Sequence, residues 1–199
     1  MLRVEFHCHT IFSKDSLTRP QNLVDTCRQK GIDRVIVTDH NTIAGAQAAQ
    51  KLDPELVVVG EEILTARGEI LAAYVTEEVP PFLSPQETLK RLRDQGAFIS
   101  VSHPFDKYRT GGWDENDLLE IIEDVDAIEV YNSRCMNPNF NRLAVQAIIR
   151  HNVEGDKLPT AVPVDLLRGR VKLDVCHAFS QFLRRWWHLK TWQILRHNV

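Results

Sequence analysis

The chain has 199 residues, enough to bury one proper core without disulfide staples, and at 43% hydrophobic, 26% charged and a formal net charge of −3 it has the balance of an ordinary globular domain. That balance points away from a nucleic-acid-binding arm or a membrane-surface patch, and no apolar run approaches the ~18–20 residues that span a bilayer. The opening "MLRVEFHCH" has no apolar secretory segment, and Cys8, Cys27, Cys135 and Cys176 form no C-x-x-C pair, so reduced thiols and a cytoplasmic location are expected.

Residues 1–160 alternate short β-branched runs with helical patterns, the mark of βα units around a parallel sheet. "LRVEF" (Leu2–Phe6) reads as the first strand. "RPQNLVDTCRQKG" reads as a helix with Pro20 in its first turn and Gly31 as its stop. "RVIVT" (Arg34–Thr38) is a buried strand, after which Asn41 is expected to cap the Ala-rich helix "TIAGAQAAQK". "ELVVVG" is a third strand, followed by a hairpin of "EEILTA" and "EILAAYV" turning at Arg67-Gly68. "SPQETLKRLRDQG" opens with Ser84 as N-cap, Pro85 at N1 and Glu87 completing a capping box, and stops at Gly96. Then come a strand (Ala97–Val101), a short helix "DENDLLEIIED", a strand "DAIEVY" and a helix "NFNRLAVQAIIRHN". In that last helix Phe140, Leu143, Ala144, Ala147 and Ile148 form an apolar stripe.

Potential ligands gather where strands end. His7 and His9 follow the first strand, Asp39-His40 the second, Glu61-Glu62 the third and His103 the fifth, while Glu129 and Asn132 lie in and just after "AIEV". In a parallel α/β barrel the strand C-termini share one end, and that end carries the active site. Groups scattered along the chain therefore converge, as a site for several cations requires. Each element alone has an ordinary reading. H-x-H serves as surface imidazoles, "TDH" as a helix-start aspartate with a solvated histidine, "GEE" as an acidic loop start, and His103 before Pro104 as a packed core histidine. Their recurrence at strand ends favours a metal centre.

Taken together, "FHCHTIFSKDS", "GIDRVIVTDHNTIAGA", "VVVGEEI", "SHPFD" and "AIEVYNSR" resemble the PHP (polymerase and histidinol phosphatase) superfamily over about residues 1–160. The resemblance implies a distorted (β/α)7 TIM-like barrel and a metal-dependent phosphoesterase with a trinuclear site. It assigns His7, His9 and Glu62 to a first metal, Asp15 and His40 to a second, and Glu62 and His103 to a third. Asp39 would orient an imidazole, and Arg134 would offer a fork to phosphate beside Asn132. A strand-end turn with a solvated arginine explains Arg134 and Asn132 equally well. The third metal's remaining ligand falls near Cys135–Asn137, where no histidine stands. The mixed donor set suits Zn²⁺, Mn²⁺ or Fe. Metal-activated hydroxide would then hydrolyse a small phosphorylated substrate or nucleotide, with nucleic acid as a substrate only. Lys107, Arg109 and Gly111-Gly112 are a loop that could meet an anion or simply be exposed.

The pattern breaks after residue 160. Residues 161–199 carry seven Lys/Arg against two Asp/Glu and three of the four tryptophans, and they contain no Asp-x-His to complete the first two metal sites. Asp174 and His177 are three apart, Asp165 has no histidine beside it, and His151, His177, His188 and His197 are read as non-ligands. Two explanations stand. The first is a frameshift near residue 162, since one codon choice for "VKLDV" reads Glu-Ile-Gly-Arg in another frame. The second is a basic, Trp-rich replacement helix with the stripe Phe182, Trp186, Leu189. The barrel would be incomplete and the metals fewer than three. The alternative function is a metal- or nucleotide-binding module without turnover.

Overall fold

The computed structural model describes residues 3–132, 134–154 and 160–164, with side chains as far as Ala147. The readings of the tail beyond Val164 lie outside the described residues. Seven strands form one mixed sheet in chain order: β1 (Val4–Cys8), β2 (Arg34–Val37), β3 (Val57–Leu64), β4 (Glu69–Ala73), β5 (Phe98–Val101), β6 (Ala127–Asn132) and β7 (Thr160–Val164). Among the described residues five α-helices and one 3-10 turn (Ile122–Asp124) are interspersed: α1 (Pro20–Gln29), α2 (Ala44–Leu52), α3 (Pro85–Asp94), α4 (Glu115–Leu119) and α5 (Pro138–Glu154). Pairing is parallel from β1 to β3 and from β5 to β7; β4 runs antiparallel to both of its neighbours. The sheet curls, and β1 and β7 lie near each other with no ladder between them among the described residues.

The strand alternation sorts side chains into two layers. On the outer face Val35, Val37, Val57, Val59, Ile63, Ile70 and Ala72 pack against Leu23, Val24, Cys27, Ala46, Ala49, Leu89 and Leu92 of the helices. On the inner face Val4, Phe6, Ile36, Val58, Leu71, Ala73, Phe98 and Ala127 form a second cluster made of strand residues alone. Phe6 and Phe98 meet there edge to face, with ring centroids 5.6 Å apart. Burying such side chains contributes about 1.5–3 kcal/mol each, so the two layers fix the curl that brings the strand ends together. Among the described residues no helix is long and apolar enough to cross a membrane.

Several local expectations change. β1 extends to Cys8, so His7 lies within the strand and His9 just beyond it. Asn41 does not cap α2: it takes a positive φ of 54°, and its side-chain oxygen accepts from Leu64 N at 2.9 Å. The start of α2 is served by Glu78, whose Oε1 accepts from Thr42 Oγ1 at 2.8 Å and Ile43 N at 3.2 Å. Ser84 caps α3 by accepting from Glu87 N at 3.2 Å, while the Glu87 carboxylate accepts from Arg91 Nε. In α5 Ala144 and Ala147 are buried, but Leu143 is exposed. The hairpin turn stands at Arg67-Gly68, with Thr65 N donating to Gly68 O at 2.9 Å.

Candidate metal centre

Backbone pairing brings the first ligands together. The register of β1 against β2 slips between Glu5 and Cys8, which lets adjacent Phe6 and His7 both serve the inner side of the curl. His40 forms an isolated parallel bridge with Glu62. Glu62 N donates to Asp39 O at 3.1 Å, and Asn41 N donates to Glu62 O at 2.8 Å. Glu62 lies inside β3, not after it, on the same inward parity as Val58; Glu61 points to the opposite face, toward Val79.

The imidazoles converge on that buried carboxylate. Glu62 Oε2 lies 3.2 Å from His7 Nε2, 3.2 Å from His9 Nε2 and 3.3 Å from His40 Nδ1, and His7 Nε2 is 2.9 Å from His9 Nε2. Glu62 Oε1 accepts from Ser102 Oγ at 2.6 Å and lies 3.2 Å from His103 Nε2. Asp15 Oδ1 lies 3.4 Å from His9 Nδ1 and 3.9 Å from His40 Nε2. His7, His9, Asp15, His40, Glu62 and His103 are thus all brought together, in overlapping triads with ligand atoms within 4.8 Å for His7/His9/Glu62 and for His9/Asp15/His40.

Two further carboxylates join them: Glu69, which strand-end reasoning passes over, and Glu129, which it includes. Glu69 Oε1 is 3.4 Å from His40 Nδ1 and its Oε2 is 3.3 Å from His103 Nε2, so that His40, Glu62 and Glu69 form a further triad. Because β4 is antiparallel, its first residue lies at the end where the parallel strands finish. In the hairpin register Glu62 opposes Leu71, which places Glu69 diagonally beside it on the same face. Glu129, on the inward parity of β6, lies 3.1 Å from His7 Nδ1 through Oε1 and accepts from His103 N at 2.7 Å through Oε2. It orients His7 as a buried carboxylate orients a ligating imidazole. Asn132 is occupied locally, donating to Glu129 Oε1 at 3.2 Å.

Among the described residues Asp39 touches no imidazole directly. Its buried carboxylate accepts from Thr10 N at 2.6 Å, Thr10 Oγ1 at 2.7 Å and Ser13 Oγ at 3.0 Å, and so holds the β1–α1 loop. A Cβ on Gly45, in the first turn of α2, would overlap Asp39 Oδ2 and Thr10 Oγ1. Arg134 lies beyond β6, half-exposed, and its Nη1 donates to Asp15 Oδ2 at 2.7 Å. Cys135 stands outside the triads: its thiol donates to Asn137 O at 3.4 Å, and burial pushes its pKa up to about 11. Arg109 pairs with Asp106 at 3.3 Å, and a Cβ on Gly111 would overlap the Glu69 carboxylate.

The electrostatics express this crowding. Burial works against charge on His7, but Glu62 and Glu129 outweigh it and raise its pKa well above the ordinary value. His9 is raised too, burial being outweighed by Asp15 and Glu62, whereas burial lowers His40 with the charge of His9 adding. Glu62 is held well below the usual carboxylate range: burial opposes this, but the His7 charge and the imidazole contacts prevail. Burial, then the neighbouring Glu62 charge, push Glu69 up to about 7. Hydrogen bonding from His9 leads the lowering of Asp15, with Arg134 assisting.

The donor set fits divalent cations. It consists of imidazole nitrogens and carboxylate oxygens, and atoms set around a tetrahedral centre at zinc-ligand distances lie about 3.4 Å apart, close to the spacings here. His103 Nδ1 is buried without a partner among the described residues.

Comparison with known proteins gives the chain's relatives. The PHP domain family model matches residues 5–77, from β1 through β4. An uncharacterized Methanocaldococcus jannaschii protein, MJ1587, is 32% identical over 162 residues, covering 75% of this chain and 92% of that protein. A second from the same organism, MJ0417, is 37% identical over 147 residues; the match takes in 71% of this chain and 58% of that longer protein. A crystal structure from Bifidobacterium adolescentis, of a protein provisionally named a metal-dependent phosphoesterase, superposes with a TM-score of 0.65. It covers 92% of this chain and 96% of its own at 16% identity, a likeness of fold. The family match over β1–β4, a span that contains His7, His40, Glu62 and Glu69, together with the 32% identical relative, shows that the chain belongs to the PHP domain family.

Proposed function

We propose that the protein is a metal-dependent phosphoesterase whose centre lies at the inner mouth of the curled sheet. The observation that carries this reading is the convergence of His7, His9, His40 and His103 on the single buried carboxylate of Glu62. Bound Zn²⁺, Mn²⁺ or Fe would supply Lewis acidity toward phosphoryl oxygens and toward water. His7, His9 and Glu62 would hold one cation, Asp15 and His40 a second, and Glu62 and His103 a third, with Glu69, 3.3 Å from His103, as a further carboxylate donor.

The remaining residues bind and orient. Arg134, half-exposed at the rim, offers a planar fork to an anionic phosphate, and Asp15 steadies it from one side. Asp39 holds the loop that carries His9 and Asp15. The substrate class is a small phosphomonoester, a nucleotide or an oligonucleotide, with no membrane partner. The cytoplasmic reading is supported by free thiols at Cys8, Cys27 and Cys135. Closure into a distorted seven-stranded barrel is supported by the nearness of β1 and β7.

A second reading is a metal- or nucleotide-binding module without turnover, favoured by the lack of an Asp-x-His in residues 161–199. One assay separates the two. Protein reconstituted with Mn²⁺ or Zn²⁺ is assayed on phosphomonoesters, nucleotides and short oligonucleotides beside a His9→Ala control, with metal content measured per chain. Hydrolysis above the control is expected; bound metal with no such turnover would establish the module instead.

A further inference from the structure

The β1–α1 loop contains a hydrogen-bond chain that the hydrolytic reading leaves unused. The Ser13 hydroxyl is buried, at 3% residue exposure, and has three partners: Asp39 Oδ1 at 3.0 Å, His40 N at 2.8 Å and His9 Nδ1 at 3.2 Å. A hydroxyl has one proton to give. Asp39 Oδ1 already accepts from Thr10 N–H, and a backbone N–H only donates, so the Ser13 proton goes to Asp39 while its oxygen accepts from His40 N–H. The lone pair that remains faces His9 Nδ1, which must carry hydrogen to use it. The other neighbour of Nδ1, Asp15 Oδ1 at 3.4 Å, is an acceptor as well. Asp39 cannot reverse the chain, because its Oδ1 also accepts from Thr10 N at 2.6 Å.

We propose that Ser13 is a positioning residue that passes the acceptor character of Asp39 on to His9. It fixes the Nδ1–H form of the ring, so that Nε2 presents its lone pair beside His7 Nε2 and Glu62 Oε2. The inference rests on the metal-centre reading and sharpens it. His9 belongs to the His7–Glu62 set, and the Asp15–His40 pair takes no nitrogen from it. Glu129 does for His7 what Ser13 and Asp39 do for His9, through the corresponding ring nitrogen.

Zinc is the probe, since it is diamagnetic. In the zinc-loaded full chain, histidine ¹⁵N–¹H correlation spectra should show His9 with hydrogen on Nδ1 and metal on Nε2. Ser13→Ala should lower zinc affinity at one site about 10–100-fold by calorimetry and erase that signature, and Ser13→Thr, which keeps a hydroxyl, should restore much of it. Asp39→Asn should keep the signature, because Thr10 N–H holds the amide oxygen at the Oδ1 position; Asp39→Ala should lose it. Zinc on His9 Nδ1, or unchanged affinity and spectrum in Ser13→Ala, would overturn the proposal. If Ser13→Ala does not fold, the wild-type spectrum alone decides. A wild-type chain that takes up no zinc would defeat the metal-centre reading instead, and the metal-free ring, at a pH where it is neutral, would then decide the relay: Nδ1–H supports it and Nε2–H overturns it.

Discussion

Glu61 should make the protein less stable as pH rises through neutrality, and replacing it with glutamine should remove that dependence. Its side chain is fully buried on the helix-facing side of β3; Oε2 accepts from Val79 N at 3.0 Å, while Oε1 has no partner among the described residues. Burial first, and then the charge of Glu78, push its pKa up to about 7, with the Val79 N–H opposing. In the unfolded chain the same group titrates near ~4.3. Below that value both states are protonated and Glu61 adds no pH dependence. Between the two values the unfolded chain releases a proton that the folded chain retains, so stability falls as pH rises, and the loss is complete above about 7. At 1.36 kcal/mol for each pH unit the total is on the order of 4 kcal/mol. Glu61→Gln keeps an oxygen for Val79 and is neutral throughout. Urea unfolding of both metal-free proteins should give similar stabilities near pH ~4.5 and a gap approaching that figure, in favour of the variant, at pH ~8. Taking the difference cancels the histidine titrations common to both. Two parallel stability curves across this range would refute the reasoning.

Two further outcomes follow from the cluster. Glu62→Gln removes the charge shared by four histidines and should lower metal content per chain, measured by mass spectrometry of the dialysed protein, with hydrolysis reduced to the His9→Ala level. Gly111→Ala would press a methyl group onto the Glu69 carboxylate; it should weaken Mn²⁺ binding in a calorimetric titration while the far-ultraviolet dichroism stays that of the parent.

Much of this was legible because strands and ligands share a simple order. β-branched runs marked β2 and β3, and the polar residues after β1, β2 and β5 supplied His9, His40 and His103. Glu69 escaped because reading ligands at strand C-termini presumes parallel strands, and β4 enters the site end with its first residue. The hairpin register and period-two alternation could have found it, since Glu62, Glu69 and Glu129 all share the inward parity of Val58, Leu71 and Ala127. Asn41 misled for a different reason. Asparagine is a good helix cap by local chemistry, but here tertiary contacts decide, with Glu78 reaching the helix from another loop and Asn41 bonded to Leu64. The partners of Asp39 were equally hidden, since a carboxylate beside a histidine in sequence need not face it in space.

The missing side chain at Gly45 has a consequence for how the protein tolerates change. Gly45 binds nothing and carries no charge, yet its bare Cα is what lets α2 settle against Asp39 and Thr10. A saturation scan scored on metal retention should therefore show a sharp intolerance at Gly45 that extends even to alanine. The bare Cα is a working part of the centre, and filling its space with one methyl should be felt at His9 through a loop that the methyl never joins.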